Sequence, residues 1–306
     1  MRHSISGFFV VLFKSPAFFN VVLGAVLISS LLFMACFRSI ADTRSGGSLD
    51  ERLKAGQDIF IRGETFEEDI DFSEILGRFM YANDLSQATC SSNIVFEDCT
   101  FKGIVAGSVK NEKGWSSTFF DKNIIFVNCD FEEEVVFRKC GFQRSVRFLS
   151  NTFFKDVNFE ETSFRGPAVF QENHFFEDVR FQNAVFHEPV TFFKTFFHRY
   201  AGFQGCRFHD HAQWSQIQIL GYGDFTVTEF DRDFIFNYAE CPGKVVFDHS
   251  YFRKRAEWVN LKAKDFSARS CFFESLETKG VEVSGLLDLE GSRISVPTRL
   301  LEVGDF

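Results

Sequence analysis

Large apolar side chains recur along this chain at alternating steps of five and six residues, and that beat dictates what the chain can become. It runs through Trp115, Phe120, Phe126, Phe131, Phe137, Phe142, Phe148, Phe153, Phe159, Phe164 and Phe170. The same register continues through Phe175, Phe181, Phe186, Phe192, Phe197, Phe203, Phe208, Trp214, Ile219, Phe225, Phe230, Phe236, Cys241, Phe247, Phe252 and Trp258. From Trp115 to Trp258 it spans 143 residues, thirteen units of eleven without an insertion, and with Ala263 it makes 28 sites, 22 of them Phe. An α-helix is excluded, because steps of five and six would carry these rings round its whole circumference. The 45 Phe among 306 residues are therefore a structural device.

A second series lies two residues before each large one and is small or β-branched: Val135, Cys140, Val146, Asn151, Val157, Thr162, Ala168 and so on. Residues two apart on extended backbone point to one side. Each segment thus sends one small and one large side chain inward, and the residues between them face water. Four such sides make a coil of 22 residues, and equivalent positions stack at the strand spacing of about 4.8 Å. Phe126, Phe148, Phe170, Phe192 and Trp214 form one such ladder, and Phe131, Phe153, Phe175, Phe197 and Ile219 the next.

This pattern resembles the pentapeptide-repeat family, in particular its Phe-rich branch, where the central residue of each pentad is Leu or Phe and the residue two before it is small. The likeness spans about Trp115 to Ile294 and implies an all-β fold, a right-handed quadrilateral parallel β-helix. The chain departs from the commoner pattern in carrying Val, Cys, Thr or Asn where Ala is usual, and in its 22-residue coil. A left-handed hexapeptide β-helix needs steps of six throughout and fits poorly.

Beyond Trp258 the roles exchange. The pairs Leu261/Ala263, Phe266/Ala268, Cys271/Phe273, Leu276/Thr278, Val281/Val283 and Leu287/Leu289 often place the larger residue first, at roughly constant pair volume. The coil is expected to continue to about Ile294 and end near Pro297. Upstream, Ile94/Phe96 and Cys99/Phe101 read as further sides, with Ile70/Phe72 a candidate third. Lys102 to Gly114 breaks the register and reads as a loop, and Ser73 to Gln87 reads as a short capping helix over the open end.

The N-terminal region is of another kind. Residues 16–37 contain no charged side chain, and 22 helical residues span roughly 33 Å, enough for a bilayer core. Lys14 and Arg38 bracket this run, and Ile5 to Phe13 is an apolar stretch suited to the interface. The expectation is a single-pass membrane anchor. A lipoprotein signal ending at Ala35-Cys36 and cleavage after Ala41 are the alternatives. Basic residues nearly balance on the two sides, with a slight lean toward an extracytoplasmic body. The organisation expected is therefore 1–38 anchor, 39–57 linker, 58–114 cap and irregular first coils, 115–263 regular β-helix, and 264–306 C-terminal coils and cap.

Cys129, Cys140 and Cys206 fill small inward slots and Cys241 a large one, so they read as buried packing groups; Cys140 and Cys206 stand three coils apart, too far for a disulfide. Asn151 and Asn173, on successive coils of one slot, are placed to hydrogen-bond along the stack. His187, His198 and His209 recur every eleven residues as turn histidines, with no metal site expected. The chain has no P-loop, HExxH, GxSxG or paired CxxC. The formal charge of -9 argues against binding a nucleic-acid backbone. Some pentapeptide-repeat proteins mimic DNA toward gyrase, but Phe126 to Trp214 carries 12 acidic against 10 basic residues, too balanced for that role. The expectation is a non-enzymatic, membrane-anchored scaffold or protein-interaction module without catalytic, cofactor-binding or metal residues. It would engage protein partners and could form a homodimer through the solenoid ends. The alternative is a carbohydrate-active surface enzyme, with Glu160, Glu161, Glu172, Glu177 and Asp178 as the acidic cluster to inspect.

Overall fold

The computed structural model describes residues 47–295 except 78, 83, 84 and 113. The apolar segment 16–37 and the expected end of the coil near Pro297 lie outside the described residues, among which no helix is long and apolar enough to cross a membrane.

The described chain is a parallel β-solenoid of about eight turns. Side one stacks Phe96, Phe126, Phe148 and Phe170, and side two Phe101, Phe131, Phe153, Phe175, Phe197 and Ile219. Side three stacks Val105, Val135, Val157, Val179, Ala201, Gly223 and Val245, each from Val135 on followed two residues later by its large partner. Side four stacks Phe120, Phe142, Phe164, Phe186, Phe208, Phe230, Phe252 and Phe273. Rings within a ladder lie almost parallel, as in Phe164–Phe186 at 4.6 Å and 3°. Across the core, side one meets side three edge to face, as in Phe170–Phe181 at 5.2 Å and 84°. Both geometries suit the aromatic quadrupole, so the rings of sides one and three gain on their faces and on their edges.

The alternation of five and six is an alternation of corners. Each step of five turns through a residue of positive φ: Asn128, Lys139, Ser150, Glu161, Glu172, Asn183 and Lys194, and again from Gln216 to Asn260. At several of these corners a β-turn bond closes, for instance Thr162 N to Phe159 O at 3.2 Å, with Glu161 in the third position where φ is positive in a type II turn. The six-residue corners carry the extra residue and none of these left-handed non-glycine positions. At one of them the coils approach so closely that a Cβ on Gly243 would lie 1.7 Å from the Gly221 carbonyl oxygen.

Corner type also decides the chemistry of the small slot. Before the large residue of a six-residue step the slot is apolar throughout: Ile124, Val135, Val146, Val157, Ala168, Val179, Val190, Ala201, Ala212. After a five-residue corner it mostly carries a donor, and in the following cases that donor caps a Phe carbonyl 24 or 25 residues back. Thr162 Oγ1 donates to Phe137 O at 2.7 Å, Thr228 Oγ1 to Phe203 O at 3.0 Å and Ser250 Oγ to Phe225 O at 2.7 Å. Cys206 Sγ donates to Phe181 O at 2.9 Å and Cys271 Sγ to Phe247 O at 3.0 Å, so these thiols are donors as well as small packing groups. Asn173 Nδ2 donates to Phe148 O at 2.8 Å, while its Oδ1 accepts from the Asn151 amide at 2.9 Å and side chain at 3.1 Å. Without these donors the buried carbonyls would be left unpaired.

The N-terminal end differs from the sequence reading at four places. Residues 49–54 of the expected linker form an α-helix, Leu49–Lys54, held by a reciprocal Ser48–Glu51 capping box with Leu53 buried. The helix expected over Ser73 to Gln87 is a single turn, Phe72–Ile75, begun by Asp71 accepting from Ser73 N and Glu74 N; the strands Phe79–Ala82 and Leu85–Cys90 then pair antiparallel. Ile70 faces inward as a coil side, whereas Phe72 opens the helical turn and packs edge-on against Phe120. The expected loop Lys102 to Gly114 contains the strand Val105–Ala106 on side three, then Ser108–Asn111 paired antiparallel with Gly114–Phe120. This insertion puts Ile94 opposite Ile124, 30 residues on instead of 22. Trp115 consequently leaves the core beat: it sits on the hairpin, half-buried, with the Arg138 guanidinium 4.8 Å above its ring. The uninterrupted inward register starts at Thr118 and Phe120.

At the other end the exchange of roles occurs as expected. Phe266 stacks opposite Val245 in the small slot, Ala268 follows beneath Phe247, and the register slips by one residue between Cys241 and Lys244. The final inward residues Leu287, Leu289 and Ile294 are exposed.

Candidate functional site

The outer surface of side two departs from the polar exterior that the repeat implies. Its strands are only two residues long, so each coil presents the residue before the inward Phe and the residue after it. On successive coils these are Thr152 and Phe154, His174 and Phe176, Phe196 and His198, then Gln218 and Leu220. Phe154, Phe176 and Leu220 are 44%, 39% and 39% exposed, high values for such side chains on a regular β-surface.

The exterior aromatics are ordered by the same strand spacing that orders the core. Phe154 stacks on Phe176 at 5.6 Å, Phe176 on His198 at 4.4 Å, and His174 on Phe196 at 4.4 Å. His174 and His198 lie 6.3 Å apart, and burial, followed by the charge of His198, holds His174 below the ordinary histidine value. The result is a continuous apolar ribbon with ring edges outward. Its sequence trace is the set of doublets Phe153-Phe154, Phe175-Phe176 and Phe196-Phe197 on successive coils. The doublets pass unnoticed because attention falls on the inward member of each.

Along the left-handed corner of the same side runs a shallow groove of about 690 Å³ lined by Ser150, Glu172, His174, Lys194, Phe196 and Tyr238, among others. Lys194 Nζ stands 3.7 Å from Glu172. On the opposite edge of the ribbon Arg199 meets Glu177 at 2.6 Å. The ribbon is thus flanked by one oppositely charged pair on each side.

The five carboxylates singled out from the sequence do not converge. Glu160 and Glu161 are bound by Arg138 on the corner between sides three and four. Glu177 and Asp178 stand at the corner after side two, Asp178 paired with Arg180 at 2.8 Å, and Glu172 lies on the groove. The groove's other carboxylate, Glu240, is three coils from the level of His174, roughly 14 Å along the axis. Two-carboxylate glycoside hydrolysis needs about 5–9.5 Å. His187 and His209 do stack on neighbouring coils at 5.3 Å, and His209 Nδ1 meets Asp231 at 2.7 Å; His198 stands apart on the ribbon. No group of three candidate metal ligands occurs among the described residues.

The described thiols are all buried, and apart from Cys99, which its contact with Cys129 holds below the ordinary thiol value, they are suited to structure rather than reactivity. Burial pushes Cys140 up to about 12 and Cys90 to about 11, far from the thiolate needed for nucleophilic work. Cys99 and Cys129 occupy one slot on adjacent coils, a proximity the sequence reading does not consider, and Cys129 is pushed up by its contact with Cys99 and by burial.

Compared by sequence, the chain matches no protein-family profile and no curated protein. Among solved structures it is similar to HetL, a pentapeptide repeat protein involved in heterocyst differentiation regulation from the cyanobacterium Nostoc sp. strain PCC 7120. That match has 9% identity and a TM-score of 0.24, over 83% of this chain and 98% of that one. It is also similar to QnrB1, a plasmid-mediated fluoroquinolone resistance protein, at 13% identity and a TM-score of 0.21, over 74% of this chain and 90% of that one. Residue by residue, one large and one small inward side chain on each side of a four-sided coil resembles the pentapeptide-repeat pattern, carried here on 22 residues per turn.

Proposed function

We propose that this protein is a rigid, non-enzymatic interaction scaffold whose working surface is the aromatic ribbon of side two, and that residues 16–37 tether it to a membrane with the solenoid on the extracytoplasmic side. The observation that supports this most is the row Phe154, Phe176, His198 and Leu220, its three rings stacked and its Phe154, Phe176 and Leu220 exposed, on a backbone ordered by continuous ladders. An apolar strip fixed in position by the fold costs little conformational entropy to bind, which favours protein recognition. The scattered, cation-paired carboxylates give a hydrolase no acid–base pair to work with.

The test is affinity capture from the native cell after crosslinking, comparing the unaltered chain with Phe154→Glu/Phe176→Glu. The expected result is a discrete set of crosslinked proteins lost in the variant. Identical capture by both chains, or hydrolysis of a polysaccharide panel by the purified protein, would overturn the reading. Retention in carbonate-washed membranes, with the solenoid open to protease from outside, checks the tether and its direction.

A further inference from the structure

The ribbon's flanking charges are arranged in a way that names a partner. Glu177 and Arg199 occupy equivalent positions on adjacent coils at one edge, and Glu172 and Lys194 do so at the other. Between these coils the ribbon reads His174 and Phe176, then Phe196 and His198. Consider a two-fold axis lying in the plane of side two, perpendicular to the solenoid axis and midway between these coils. It lays the same face of a second copy antiparallel on the first. Every position on one coil then meets its equivalent on the next: Phe176 faces His198, His174 faces Phe196, Phe154 faces Leu220 and Thr152 faces Gln218. Glu177 faces Arg199 and Glu172 faces Lys194, each twice.

We infer that side two is a self-complementary face by which two copies of this chain associate laterally, in antiparallel orientation, about the level between Phe176 and His198. This rests on reading the ribbon as the interaction surface and names its occupant. The charges select the arrangement. Centring the axis on the coil of Phe176 would set Glu177 against Glu177 and Lys155 against Arg199. A parallel pairing would set Glu172 against Glu177 and Lys194 against Arg199. Only the half-step position gives opposite charges at both edges and apolar groups between them, the reciprocity an isologous contact requires. Four coils at about 4.8 Å and a width of roughly 20 Å give about 400 Å² per copy, which places the dimer at the weak, concentration-dependent end of specific interfaces.

The test is sedimentation equilibrium of the purified full chain in detergent over a wide concentration range, with charge-swap variants. The unaltered protein should dimerise reversibly. Arg199→Glu and Glu177→Arg should each weaken dimerisation at least tenfold, because each sets like charges across the axis. The double swap Glu177→Arg/Arg199→Glu should return the affinity to within about threefold of the original, since opposite charges again meet at the same place. A monomer at all concentrations, a dimer indifferent to the single swaps, or a dimer abolished by Leu287→Glu at the exposed C-terminal end would overturn the proposal. If the chain stays monomeric while Phe154→Glu/Phe176→Glu still loses its crosslinked proteins, the scaffold reading stands and only self-association falls.

Discussion

At the scale of the residue, the small inward slot is where the chain's departures from Ala find their cause. Asn173 joins three strands of backbone logic: it caps the Phe148 carbonyl and receives both the amide and the side chain of Asn151. Truncation leaves at least two buried groups unpaired at about 1–3 kcal/mol each, so Asn173→Ala should lower unfolding free energy by about 3 kcal/mol in urea titrations. Conversely, Val227 holds a φ of 57° with its side chain half in solvent, a conformation β-branched residues resist. Val227→Asn should therefore stabilise the protein by about 1 kcal/mol in the same titration. His174 supplies a pH dependence. Its folded value lies below the ordinary 6.5, so as pH falls the unfolded chain takes up a proton before the folded one does. Stability present above the ordinary value is then lost as pH drops through it toward the depressed one. The urea midpoint should fall between pH 7.5 and 5.5, and the fall should be shallower in His174→Gln. Its partial exposure makes the effect small.

At the scale of the element, the corner is the unit that the spacing of Phe residues encodes. The alternation of five and six predicts four sides and a 22-residue coil, and the ladders have that register from Phe120 to Cys241. The left-handed residue in each short corner is not legible, because Glu161, Lys194 and Tyr238 carry no glycine-like signal; only the stacking of coils over-determines their φ. The two hairpins between Phe79 and Phe120 escape for a different reason: they pair with each other outside the periodic core, so nothing in the beat reports them. Trp115 is miscounted because its spacing from Phe120 fits the beat by coincidence. Sides one and three share an aliphatic slot and sides two and four a donor slot, so the core repeats chemically every half coil. Deleting residues 149–159 should leave a cooperative β-solenoid melting within about 10 °C of the parent, since solenoid stability is a sum of neighbouring contacts. Deleting residues 149–153 sets donor slots beneath aliphatic ones, and should abolish cooperative melting by circular dichroism.

At the scale of the whole solenoid, the aromatic ribbon is hidden in the sequence because the beat marks only inward positions and is silent on which outward ones are apolar. The doubled Phe positions acquire meaning once the coil places them 22 residues apart on one wall. The backbone hydrogen bonds that join one coil to the next, such as Val157 N to Asp178 O at 2.9 Å, run along the axis of the coil. A load that pushes the two ends together meets close-packed rings and is resisted by the full cross-section. A load that draws the ends apart meets a few bonds at a time, at whichever turn is outermost. The molecule should then behave as a strut, stiff in compression, that peels turn by turn under tension, and a pulling experiment on the two termini would show a low sawtooth rather than one tall rupture.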